Sequence, residues 1–85
     1  METLYTVYVL HSVKHDKIYI GQTSDLPSRL KSHNELAGKG WTVTFRPWTI
    51  VHTEEFGSRK ESIRREKSLK SAAGRKWVRG VLLSS

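Results

Sequence analysis

Leu4-Tyr5-Thr6-Val7-Tyr8-Val9-Leu10-His11 and, after the polar Val13-Lys14-His15-Asp16, the run Lys17-Ile18-Tyr19-Ile20-Gly21 decide the architecture of this chain. The first run alternates, and both are rich in β-branched and aromatic side chains. A short polar stretch divides them, so together they predict a β-hairpin over residues 4–11 and 17–21. Tyr8 and Tyr19 then stand on neighbouring antiparallel strands, where their phenols can share one face. A tyrosine in a strand is ordinarily a half-buried core residue. Two that converge can also hold a phosphate, and Gly21, with no side chain, allows a close approach beside them.

Working outward, Ser24 or Asp25 caps a helix that tolerates Pro27 in its first turn. Leu26, Leu30, His33 and Ala37 follow at helical spacing, and Gly38-Lys39-Gly40 ends it. A third strand is predicted over residues 48–55, after Pro47. Ser58 and Glu61 form a capping box that opens a second helix running to about residue 72. Gly74 is expected to break that helix, with a last one over residues 75–83. The order β-β-α-β-α-α around a small antiparallel sheet is an α+β fold, and 85 residues predict one domain, residues 1–85.

Polar groups stand where these helices call for apolar ones. Arg29 and His33 lie four apart and project from one face of the first helix beside Leu26 and Leu30. On the second, Ile63, Leu69 and Ala73 define an apolar arc with Glu66 in its middle, which turns a carboxylate inward. Burying a carboxylate costs several kcal/mol unless it is paired or bound to a metal. Glu66 therefore reads either as an internal salt bridge to Arg29 or as a metal ligand.

The charge is unevenly distributed. Residues 1–56 hold six Lys/Arg and six Asp/Glu, whereas residues 57–85 hold nine and two, so the whole excess of +7 lies in the last third. Lys67, Lys70, Arg75 and Lys76 are the candidate nucleic-acid contacts there, because neutralising phosphates releases counterions without any reading of sequence. A solvated helix face is the other reading of such a run. No apolar stretch is long enough for a membrane span and no signal-peptide pattern opens the chain, so no membrane role is expected. With no cysteine there is no disulfide or thiolate metal site, and a cytoplasmic setting is expected.

Taken in order, Val7-Tyr8, Tyr19-Ile20-Gly21, Arg29, His33 and Glu66 resemble the GIY-YIG nuclease family, and the likeness runs from Thr6 to about Trp77. The stretch Ile63-Arg64-Arg65-Glu66-Lys67-Ser68-Leu69-Lys70 is similar to that of short stand-alone bacterial members. The resemblance implies a three-stranded antiparallel sheet flanked by helices. It also implies endonuclease activity on DNA with a divalent metal, Mg²⁺ or Mn²⁺, in repair or recombination. By the same likeness Glu66 would be the sole protein ligand of the metal, which keeps most of its waters. Tyr8 would be the general base, helped by a cation that lowers its pKa and by His33 or a metal-bound hydroxide as proton acceptor. Arg29 would clamp the scissile phosphate, and Tyr19 would bond it or position the water.

Three positions depart from the family pattern. The first motif lacks its glycine, Gln22 stands where some members carry a catalytic lysine, and Val78 stands where many carry an asparagine. Lys70 or Arg75 could replace the missing polar groups, or serve as phosphate contacts or plain surface charge. A non-catalytic nucleic-acid-binding module of the same fold is the alternative function, and an interaction domain of a repair assembly a third. A partner protein would supply targeting. His11, His15 and His52 lack metal-site spacing and read as structural. Of the three tryptophans, Trp41 beside Gly40 is the candidate for stacking on a base, with Trp48 and Trp77 expected in the core.

Overall fold

A computed structural model describes residues 3–36 and 40–83. Ala37, Gly38 and Lys39, expected to close the first helix, lie outside the described residues. Strands β1 (Tyr5–Ser12) and β2 (Lys17–Thr23) form the expected hairpin, and Asp16 makes the turn with φ 50°. Strand β3 (Thr49–Phe56) pairs antiparallel with the far side of β1, so the order is β2-β1-β3 and β2 is an edge.

Because β1 is central, both of its faces are covered. Val7 and Val9 pack with Ile18, Ile20, Leu69 and Val78 on one face, while Tyr8, Leu10 and Trp48 pack with Tyr19, Leu26, Leu30 and Phe45 on the other. The period-2 alternation of the strand divides its side chains between these two layers.

Helix α1 (Leu26–Lys31) starts where Asp25 Oδ1 accepts from the Ser28 N–H at 3.3 Å, and it continues as a π-helical turn over Ser32–Leu36. A short helix α2 (Trp41–Thr44), not foreseen in the sequence, fills the connection to β3. Helix α3 (Arg59–Lys70) opens as the capping box predicts, with Ser58 Oγ accepting from the Glu61 N–H at 3.2 Å. The helix ends earlier than expected. The break is at Ser71, whose hydroxyl caps helix α4 (Ala72–Trp77), and α4 runs on as a π-helical turn over Val78–Leu82.

Gly74 thus lies inside a helix rather than between two. A Cβ there would stand 2.5 Å from Leu69 Cα, so α4 crosses the end of α3 too closely for any side chain. Ala is ordinarily the better helix former by about 1 kcal/mol. Here the clash is with backbone, and Gly74→Ala is expected to destabilise by about 3 kcal/mol. Thermal unfolding followed by circular dichroism should show a drop of about 10 °C or more. An unchanged or higher melting temperature would mean that the helices do not cross this closely.

The apolar arc expected on α3 is also displaced. Ser62 and Leu69 are its buried residues, Ile63 and Glu66 are half-buried, and Ala73 is exposed. The kink at Ser71 ends the helical phase before Ala73, so extending one periodicity across it set the arc too far round. No helix among the described residues is long and apolar enough to cross a membrane.

Candidate active site

Tyr8 sits at the middle of the central strand with its side chain fully buried. Its hydroxyl is 3.1 Å from Nε2 of His33. The Tyr19 ring completes the group, with its centroid 6.1 Å from that of Tyr8 and 4.5 Å from that of His33. The phenols therefore share a face, as the hairpin register predicts. Gly21 pairs directly with Tyr8 across the ladder, and a Cβ on it would stand 2.6 Å from the Tyr8 hydroxyl. Only glycine leaves that hydroxyl room.

His33 is held from behind. It lies on the π-helical turn, a winding that recurs at functional sites. Arg46 Nε donates to the His33 carbonyl at 2.6 Å, and Arg46 Nη2 to that of Ser32 at 3.2 Å. Next to it, the Asn34 amide exchanges two hydrogen bonds with the Trp48 backbone, accepting at 2.7 Å and donating at 3.1 Å. Sequence reading did not single out Arg46 or Asn34, because their function is to hold a backbone whose path only the fold reveals.

The electrostatics follow from burial. Desolvation pushes the Tyr8 hydroxyl up to about 12, with the neighbouring Tyr19 adding to the rise and Arg29 opposing it. Burial, reinforced by the positive charges of Arg29 and Arg46, holds His33 below its ordinary value. At neutral pH the pair is therefore a neutral phenol and a neutral imidazole, and in the tautomer that leaves Nε2 unprotonated the phenol donates to it. The neighbouring Tyr8 hydroxyl, with a smaller effect from Tyr19, raises the Arg29 guanidinium above its ordinary value against the opposing effect of burial.

Glu66 comes from another element. It belongs to α3, which packs on the opposite face of the sheet, and its carboxylate meets Lys70 Nζ at 3.6 Å. The salt bridge to Arg29 considered from the sequence is not formed, and Lys70 is the ion-pair partner instead. The side chain is 20% exposed. Among the described residues no three His, Asp or Glu side chains group to cage an ion. A single accessible carboxylate suits a hydrated Mg²⁺, which binds through one or two carboxylates and keeps several waters.

Two cavities straddle the edge strand β2 at either end. The first, of about 360 Å³, is lined by Tyr5, Gln22, Thr23, Ser24, Arg29 and Arg59. The second, of about 400 Å³, is lined by Ile18, Tyr19, Ile20, Trp41, Lys70 and Arg75. Trp41 is half exposed, on α2 rather than in an unstructured connection, with its ring 5.6 Å from that of Trp48 and 6.4 Å from that of Tyr19. Trp48 is buried and Trp77 packs on the core, as expected. Of the cations read as nucleic-acid contacts, Lys70 and Arg75 line the second cavity. Lys67 and Lys76 are exposed and line neither.

The remaining candidates have structural partners. His11 pairs with Asp16, His52 with Glu54, and His15 packs edge-on against Phe45. Burial raises the Glu54 carboxyl, but hydrogen bonds from Arg65 and His52 outweigh it and leave it below the usual range. Val78 is fully buried in the α3 layer, so position 78 offers no polar group to the site.

The chain matches the family model of the GIY-YIG catalytic domain over residues 4–78. It is 33% identical over 76 residues to a UPF0213 protein of Bacillus velezensis, covering 89% of this chain and 77% of that one. Over 53 residues it is 43% identical to the structure-specific endonuclease subunit SLX1 of Chaetomium globosum, covering 56% of this chain and 16% of that one. Among solved structures, the solution NMR structure of a UPF0213 protein from Bacillus halodurans is similar with a TM-score of 0.54. Its identity is 29%, with 92% of this chain and 84% of that one covered. The α+β architecture with a three-stranded antiparallel sheet, expected from the sequence, is shared with that structure.

Proposed function

Because the chain belongs to the GIY-YIG family, we propose that it is a nuclease that hydrolyses phosphodiester bonds in DNA with a divalent metal ion, in repair or recombination. The observation that carries this reading is the bond between the Tyr8 hydroxyl and His33 Nε2, with Arg29 beside it. A phenol raised to about 12 is too weak an acid to exist as tyrosinate at neutral pH. It can still act as a base if its own proton leaves as it takes another. Tyr8 draws a proton from the attacking water while its hydroxyl proton passes to the neutral His33, and the water oxygen bonds to phosphorus. Arg29 offsets charge on the phosphate oxygens as the bond from phosphorus to the sugar oxygen breaks, and that oxygen takes a proton from solvent. Glu66 would hold the divalent ion, which when bound would supply Lewis-acid stabilisation of developing negative charge. Lys67, Lys70, Arg75 and Lys76 give sequence-independent contacts to the backbone.

The relative named as a structure-specific endonuclease subunit supports a substrate of defined shape and a targeting partner for this chain too. A binding-only module is the second reading, favoured by the buried valine at position 78. Nicking of supercoiled plasmid separates the two. Cleavage should require Mg²⁺ or Mn²⁺ and cease with a chelator, and salt-sensitive binding without any cleavage would establish the module instead.

The pH profile tests the relay. His33 must be neutral to accept a proton, and its lowered pKa keeps it so at pH 7. The rate should therefore hold between about pH 7 and 9 and fall only below the ordinary histidine value of about 6.5. A rate rising about tenfold per pH unit from 7 to 9 would show that pre-formed tyrosinate is required and would remove His33 from the mechanism.

A further inference from the structure

We propose that the cavity at the far end of β2 is a second phosphate site, in which Arg59 grips a phosphodiester next to the one being cut. The inference rests on the nuclease reading and deepens it by placing a further stretch of the substrate strand. Arg29 and Arg59 reach this cavity from elements on opposite faces of the sheet, α1 and α3, and meet around the strand end. The other lining residues, Tyr5, Gln22, Thr23 and Ser24, offer hydroxyl and amide groups, and no carboxylate is among them. Two guanidinium groups facing one polar cavity repel each other unless an anion lies between them. Arg59 has no acidic partner among the described residues. A planar fork of donors with no carboxylate to satisfy it is the side chain best suited to a phosphate.

The start of α3 fixes the backbone at Arg59. Arg59 is the first residue of α3, behind the Ser58 cap, and its carbonyl accepts from the Ser62 hydroxyl at 2.7 Å. The same hydroxyl oxygen lies 3.3 Å from the Gln22 side-chain oxygen, which holds the Gln22 amide beside the cavity. Tyr8, His33 and Glu66 do not line it, so the phosphate held there is not the one undergoing reaction. Arg29 belongs to both sites, acting electrostatically on the tyrosine hydroxyls and lining the cavity, so the two phosphates are neighbours on one strand.

The test uses oligonucleotides in which a single phosphate beside the mapped cut is a neutral methylphosphonate, with wild type and Arg59→Ala. On the all-phosphate substrate Arg59→Ala should raise KM about tenfold with kcat nearly unchanged. On wild type the methylphosphonate should do the same, and the two changes together should be no worse than either alone. Binding of uncleaved DNA without metal should lose about one unit of its salt slope in Arg59→Ala, and Arg59→Lys should restore it. This arm reads the cavity even if no substrate is cut, an outcome that would overturn the nuclease reading alone. Additive effects of the two changes, or an unaltered KM and salt slope in a variant that melts normally, would overturn the second phosphate site.

Discussion

Replacing Glu66 by glutamine should lower cleavage by about a thousandfold or more, the loss of several kcal/mol of metal-borne stabilisation, and should leave the fold nearly as stable as before. The sequence leaves two readings of this carboxylate, and they predict opposite stabilities. Had Glu66 been buried against Arg29, breaking the pair would cost about 3 kcal/mol or more. Instead it meets Lys70 one turn along α3 at 3.6 Å, with the carboxylate side chain 20% and the lysine 47% exposed. Such pairs contribute about 0.3–0.5 kcal/mol. Glu66→Gln should therefore move the melting temperature by less than about 4 °C. DNA binding should persist, because the change removes a negative charge near the phosphate. Wild-type cleavage with Mg²⁺ in this variant would end the metal-ligand assignment. A melting temperature lower by more than about 10 °C would make the residue structural.

Tyr8→Phe should have a comparable effect on rate, about a thousandfold, through loss of the proton relay. The phenyl ring still fills the core position, so the change isolates the hydroxyl from the packing. The stability cost is about 1 kcal/mol, because a partly screened His33 nitrogen loses its donor. His33→Ala should reach nearly the same low rate, and the double variant should be no slower than either single one, since two groups that pass one proton act as a unit. Single-turnover cleavage measures all three. A Tyr8→Phe enzyme cutting within a few-fold of wild type would show that the 3.1 Å contact with His33 is packing and not chemistry.

The site residues divide by how far along the chain their arrangement depends. Tyr8 and Tyr19 could be set on one face from the sequence because strand alternation has period 2 and the hairpin turn fixes the register. Local signals likewise narrowed the first cap to Ser24 or Asp25, of which Asp25 serves, and placed the second at Ser58, since a cap is a hydrogen bond within one turn. Gly74 was misplaced for the opposite reason. Its small size answers to the backbone of Leu69 across a helix crossing, and nothing in its immediate neighbours records that. Arg59 carried no sign of its use, because one arginine in a basic run looks like the next until the fold sets it opposite Arg29. The short helix at Trp41 was missed because four residues are too few to show a period, and its position is fixed by Trp48 Nε1 donating to the Thr42 carbonyl.

By itself, then, the sequence determined the hairpin, the α+β class, the family and the identity of the tyrosines, arginine, histidine and carboxylate in their order. These depend on alternation, capping and spacing, which act over a few residues at a time. Only the tertiary structure decided that Tyr8, Tyr19, Arg29 and His33 form one cluster and that the Glu66 carboxylate meets Lys70 rather than Arg29. It also decided the protonation of that cluster. Burial acts through every element packed around a group, so the raised Tyr8 hydroxyl and the lowered His33 imidazole are properties of the assembled layers and not of either residue's neighbours in the chain.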